Sequence, residues 1–252
     1  VLLCPMGNYD KPVADAVGLM TVESGIGYEG VFAPYRVFES YTWQAHVYGL
    51  CQQRNGSFYD AVIPNAYDMD DFPMGTHDGG YFLFIGRLIQ RKGLDVAVQV
   101  TRHLGAHLIV AGQGSLVNAS EGLKCDEAHV THVGTVDAEQ RAKLMGAAIA
   151  VFTPTYYVGP FEGVAVEAQL CGTPVITTDW GCFSETVEDG ATGFRCHTFR
   201  EFVRAATQAP TLVHEYIRAR ATAKYSMQAV AKQFGRYFDR LADLYGEGWY
   251  AL

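Results

Sequence analysis

From residue 81 onward, apolar and polar positions change in blocks rather than one by one. YFLFI (81–85), HLIVA (107–111), HVTHV (129–133), IAVFTP (149–154) and PVITT (174–178) are short apolar runs rich in β-branched and aromatic residues. Each is too short for a helix and lacks the in–out alternation of a half-exposed strand, so each predicts a strand covered on both faces. Between them, 94–104, 137–147 and 163–171 carry helical spacing, with Asp137 placed as the N-cap of the second. Strand and helix in turn predict a doubly wound, parallel α/β domain from residue 79 to about 200. In such sheets ligands sit beyond the carboxyl ends of the strands, which makes the loops at 86–93, 112–114 and 154–162 the places to look for chemistry.

The flanks are less regular. VLLC and LMTVE read as strands, 37–50 as a helix carrying Tyr41, Trp43 and His46, and FYDAVIPN (58–65) as a last strand. MDDFPMGTHDGG (69–80) is polar and Gly-rich and reads as a linker. Beyond Ser226 a long helix is predicted, with Gln233, Phe234, Tyr237, Phe238, Leu241 and Leu244 on one face. The division expected is therefore a partial α/β domain over 1–68, a linker over 69–80, a Rossmann-like domain over 81–225 and a C-terminal helix over 226–252 that packs back on the first domain.

Composition narrows the function. Among 252 residues, 49% are apolar and 18% charged, enough to bury a full core, and the net charge of -8 comes with no basic run. A nucleic-acid partner is excluded on that ground, while a small anion held by a few local donors is not. The six cysteines form no CxxC pair and no disulfide-like spacing, so they read as reduced thiols of a cytoplasmic protein. There is no signal peptide and no membrane-length apolar run. An integral membrane segment is not expected; a place peripheral to a membrane stays open, and the oligomeric state is not legible. No HExxH, GxSxG or P-loop appears, and the Gly112-Gln113-Gly114 loop lacks the third glycine of a dinucleotide fingerprint. His46, on an aromatic helix, reads as a packed or interface histidine. The rings around 41–48 suit stacking on sugars as well as they suit a core.

Two loops carry candidate chemistry. Gly86 and Arg87 end the first strand, and Lys92 follows within one turn. An arginine fork and a lysine point charge both suit phosphate oxygens, although a solvated basic turn would look the same. In GPFEGVAVEAQLCGTPVIT (159–177), Phe161 and Glu162 precede a helix that opens at Gly163. Free N–H groups at that helix start, around Gly163 and Val164, make an anion site. Glu162 and Glu167 could accept hydrogen bonds from hydroxyls, or could be ordinary charges near a helix N-terminus.

Taken together these strings resemble the retaining GT-B glycosyltransferases with an E-x7-E-type motif, the family 4-like or group 1 glycosyltransferases. The resemblance rests on DAVIPNAYDMDDF (60–72), FIGRLIQRKGLD (84–95), LIVAGQG (108–114), HVGTVD (132–137), GPFEGVAVEAQLCGTPVIT and SETVEDGATGFRC (184–196), in the family's order. It covers residues 58 to 252 and is specific; before that, VESGIGYEGVFAPYRVFESYTW is similar to a segment of some members. The family usual, E-P-F-G-L-V-A-L-E, is matched here by Gly159-Pro160-Phe161-Glu162-Gly163-Val164-Ala165-Val166-Glu167. The second glutamate falls on Glu167, whose implied role is to hold the nucleotide ribose. The first position is Gly159, and Glu162 stands at the usual glycine, so Glu162 is expected to replace the missing sugar-contacting carboxylate.

The resemblance implies a metal-free transferase that takes a sugar from a nucleotide-diphosphate donor with retention, and needs no further cofactor. Gly86, Arg87, Lys92, Phe161, Glu162, Gly163, Val164 and Glu167 would bind the donor, with Arg87, Lys92 and Glu162 acting in catalysis. The acceptor (a saccharide, a lipid-linked glycan or a small molecule) is not encoded in any side-chain pattern, nor is the donor base. About 75 residues precede the second domain, fewer than a full acceptor-side domain holds, so a reduced or truncated first domain is expected. That shortness and Gly159 support a second reading, a non-catalytic or partner-dependent nucleotide-sugar-binding remnant. A GT-B sugar-nucleotide epimerase fits less well, because the strings are those of transferases.

Overall fold

The computed structural model describes residues 1–247, with side chains to Asp243. The first elements are β1 (Leu2–Cys4), α1 (Lys11–Val17), β2 (Thr21–Ile26), β3 (Tyr35–Phe38), α2 (Tyr41–Leu50) and β4 (Asp60–Val62). Then follow β5 (Tyr81–Ile85), α3 (Leu94–Leu104), β6 (His107–Ala111), β7 (Val117–Asn118), β8 (Leu123–Lys124) and β9 (Val130–Gly134). The chain continues through α4 (Ala138–Ala147), β10 (Val151–Thr153), α5 (Gly163–Leu170), β11 (Val175–Thr178), α6 (Phe183–Thr186) and β12 (Gly193–Cys196). It closes with α7 (Phe199–Gln208), α8 (His214–Tyr225) and α9 (Met227–Glu247).

Two compact units result among the described residues, one formed by 1–67 and 224–247, the other by 68–223. In the second, six parallel strands run in the order β12-β11-β10-β5-β6-β9. The five apolar blocks of the sequence are five of these strands, and Leu83, Leu108, Val110, Val151, Phe152, Val175 and Ile176 are all fully buried; the edge strand β9 is not covered on both faces as expected but alternates, with Thr131 and Val133 exposed. Helices on both faces are what allow such blocks, since a strand with one wet face would have to alternate. α4 begins where Asp137 accepts from Gln140 N at 2.8 Å, and the Gln140 side chain caps in return, a full capping box. Residues 69–80 lie against this unit. Gly75 N donates to Cys171 O, His77 N to Gly146 O and Gly79 N to Ala147 O.

The first unit is a four-stranded parallel sheet, β1-β2-β3-β4. The stretch 37–50 does not form one helix: Val37 and Phe38 belong to β3, and α2 starts at Tyr41 with Ser40 accepting from Trp43 N. Ser40 is the residue that divides them, because an N-cap needs extended backbone. α9 lays Val230, Tyr237 and Leu241 into a core with Val22, Val37 and Ile63. Leu244 and residues 248–252 lie outside the described side chains and residues. All six cysteines are free, five of them buried, and burial pushes the Cys171 and Cys196 thiols up to about 12. Among the described residues no helix is long and apolar enough to cross a membrane.

Candidate functional site at the strand ends of the second unit

The order of the larger sheet reverses between β5 and β10, whose neighbours β6 and β11 lie on opposite sides. At such a switch point the loops leaving adjacent strands diverge and leave a crevice at the carboxyl edge. The loop after β5 carries Gly86, Arg87 and Lys92; the loop after β10 carries residues 154–162 and opens α5. They touch at Gly93, where a Cβ would overlap the Pro154 carbonyl and where φ is +74°. Tyr156 N also donates to Arg91 O at 2.8 Å. Only glycine allows both the approach and the backbone angle there.

That contact brings two expected site residues together. Lys92 Nζ donates to Glu162 Oε1 at 2.9 Å and to Oε2 at 2.7 Å, and the two side chains are 18% and 7% exposed. The Tyr157 ring lies below both neighbouring cations, 5.0 Å from Lys92 Nζ and 4.7 Å from Arg91 Cζ. Tyr157 was not singled out in the sequence, where nothing distinguishes it from Tyr156.

Glu162 itself is in the left-handed region, at φ +54° and ψ +62°, as the N-cap of α5. A non-glycine residue there costs about 1 kcal/mol or more. Its side chain then turns toward Gly159, which is buried. A Cβ placed on Gly159 would overlap Glu162 Oε1 and come within 2.8 Å of its Cγ and 3.0 Å of its Cδ. The carboxylate of Glu162 therefore fills the volume into which a side chain at 159 would grow. Gly181, in the turn after β11, closes the other side of this bend, its Cβ position lying 3.3 Å from Gly159 N.

Gly163 and Val164 form the open end of α5, with Phe161 buried just before it. Ala165 N already bonds to Glu162 O at 3.0 Å, so it is the first two N–H groups that face outward. Glu167, one turn on, lies with Oε2 3.0 Å from Arg141 Nε, an ion pair without hydrogen-bond alignment. Burial raises the Glu167 carboxyl above its ordinary value, and Arg141 opposes that only in part. Arg141, on α4, carried no signal in the sequence. Arg87 is exposed at the end of β5 and joins no carboxylate of this group. Gly112, set aside in the sequence as half of a weak motif, is packed on the same crevice: a Cβ would overlap Gly86 O. His46 lies in the other unit, half-exposed, its ring centroid 4.5 Å from that of Trp43 with the planes tilted by 30°, and its Nε2 3.3 Å from Glu29 Oε1.

The fold is that of the GT-B α/β proteins: two units, each with a parallel sheet, the second with a crevice at its switch point. Residues 79–209 match the model of the glycosyl transferases group 1 family, and the chain belongs to that family. It is 28% identical over 207 residues to the phosphatidyl-myo-inositol mannosyltransferase of Mycobacterium tuberculosis, covering 73% of this chain and 55% of that protein. The chain thus spans about half the length of the curated relatives it matches. Among solved structures, AviGT4, a glycosyltransferase involved in avilamycin A biosynthesis, superposes with a TM-score of 0.72 at 22% identity, over 90% of this chain and 70% of that one. Anabaena HepE in complex with UDP-glucose gives 0.70 at 18% identity, over 92% and 75%.

Proposed function

We propose that this protein is a transferase that moves a sugar from a nucleotide-diphosphate donor to a hydroxyl acceptor with retention of configuration. The second unit would bind the donor and the first would face the acceptor side. The observation that carries the reading is the Lys92–Glu162 pair, held at the switch point with the Glu162 carboxylate in the space beside Gly159.

Each side chain then has a task. Arg87, Lys92 and the N–H groups of Gly163 and Val164 stabilise the diphosphate as negative charge develops on it, so no metal ion is required. Glu162 accepts from donor-sugar hydroxyls, and Glu167 from the ribose hydroxyls, with Arg141 orienting its carboxyl. The bond from the anomeric carbon to the diphosphate oxygen breaks. The acceptor oxygen bonds to the same face of that carbon and gives its proton to the departing diphosphate. No side-chain nucleophile enters the scheme. The family match and the UDP-glucose complex of HepE support a nucleotide-sugar donor. Six free thiols support a reducing, cytoplasmic setting.

Calorimetric titration with UDP, GDP and ADP in EDTA tests the donor half. Binding of one of them, lost in Arg87→Ala, is expected and would name the base. Absence of binding to all three would overturn the reading.

A further inference from the structure

The first unit has a groove of its own, about 540 Å³ in volume, that the donor reading does not use. It runs beside β4, the last strand of its sheet, between α2 and α9. Three tyrosines line it: Tyr41 is 67% exposed, Tyr237 is buried, and Tyr48 lies between those extremes. Gln44 of α2 and Gln233 of α9 line it as well.

Charge gives the groove its character. Among the described residues that line it the only acid is Asp60, and Asp60 is already occupied. Arg36 donates to it through Nε at 3.1 Å and through Nη2 at 2.7 Å, and the Tyr48 hydroxyl donates at 2.5 Å. Arg236 and Arg240, one turn apart on α9, also line the groove. Arg236 Nε reaches only the Lys232 carbonyl of its own helix at 3.3 Å, and Arg240 lies over the Tyr237 ring at 5.3 Å. Among the described residues neither forms an ion pair, although Asp239 and Asp243 follow on the same helix. Two guanidinium groups without an ion-pair partner thus line a groove whose polar lining is otherwise tyrosine and serine hydroxyls, two glutamine amides and the paired Asp60, over a floor of Ala61, Val62 and Ile63, in a chain of net charge -8.

We propose that this groove binds a phosphorylated polyol, either free or as the headgroup of an anionic lipid. Two arginines on adjacent turns bring two positive charges, which one carboxylate would not balance. A phosphate monoester, with three terminal oxygens and up to two charges, can meet both forks, and a lipid phosphodiester can bridge them through its two terminal oxygens. The polyol lies against Tyr41, with Gln44 and Gln233 supplying the hydrogen bonds its hydroxyls need. The proposal shares no residue with the donor site and stands whether or not the donor reading does.

Two probes separate the sources. Glucose 6-phosphate is titrated calorimetrically, with glucose and inorganic phosphate beside it. Phosphatidylcholine vesicles with and without phosphatidylglycerol are tested by co-sedimentation. The protein is compared with its Arg236→Gln/Arg240→Gln variant, whose exposed side chains leave the core intact, as a melting curve would verify. Saturable binding is expected, weakened about tenfold per arginine removed. Binding of the sugar phosphate alone assigns a free ligand; binding of the anionic vesicles alone assigns a headgroup. The proposal is overturned if neither probe binds, if the double variant binds equally well, or if Arg87→Ala abolishes the binding. It is overturned as well if inorganic phosphate binds as tightly as the sugar phosphate, which would leave only a loose anion site.

Discussion

At the residue scale, the most informative position is Glu162. A carboxylate from 162 and one from 159 would compete for the same volume, since a Cβ on Gly159 meets the Glu162 side chain. If Glu162 does the work of the absent glutamate, Glu162→Gly should lower donor-sugar turnover by about one to two orders of magnitude, as loss of a charged hydrogen bond does. The Gly159→Glu/Glu162→Gly exchange should then recover most of it. Failure of the exchange to recover anything would show that the carboxylate at 162 is not a replacement. Glu167 allows a test by pH alone. Its carboxyl is raised by burial above its ordinary value. The unfolded chain therefore releases the proton first as pH rises, and stability falls until the folded carboxyl also ionises. Below the ordinary carboxylate range the group contributes nothing. Glu167→Gln removes that loss, so its melting temperature relative to the parent should be higher at pH 7 than at pH 4. An equal difference at both pH values would count against a carboxyl held ionised at a cost.

At the element scale, the site depends on how closely the strand-end loops approach. Gly112, after β6, sits where a Cβ would overlap the Gly86 carbonyl, at φ +143°. Gly112→Ala should therefore displace the 86–88 loop, lower the melting temperature and weaken nucleotide binding together. A variant that lost stability but bound nucleotide at full strength would separate that loop from the site. Strands β5, β6, β9, β10 and β11, the three central helices, the Asp137 cap and the opening of α5 at Gly163 were legible in the sequence, because each is set by local period and local hydrogen bonding, whereas the edge strand β12 was not. The split of 37–50 into β3 and α2 was not, since the apolar positions of a buried strand run on into the first turn of the helix and only the Ser40 cap marks the change. Lys92 meeting Glu162 was not legible either: the residues are 70 apart in the chain and are joined by a glycine contact.

At the scale of the whole molecule, α9 is the element whose role depends most on distance along the chain. Tyr237 and Leu241 enter a core whose other members, Val22, Val37 and Ile63, lie about 170 or more residues earlier. Leu241 is fully buried, so Leu241→Ala should cost about 2–5 kcal/mol. Hydrogen exchange should show the loss in residues 1–67 and 224–247, while strands β5, β6 and β10 keep their protection. Equal loss in both units would mean that they fold as one. The sequence by itself determined the alternation of strands and helices, the chemistry of each loop and the family, because these follow from local periodicity and from short strings of residues. Tertiary structure alone decided which loops meet: that Glu162 turns back over Gly159 to reach Lys92, that Arg141 stands behind Glu167, and that two arginines of α9 face a groove beside β4. Such pairings depend on strand order and on where a missing Cβ lets one backbone approach another, and neither quantity has a signature in a local window of sequence.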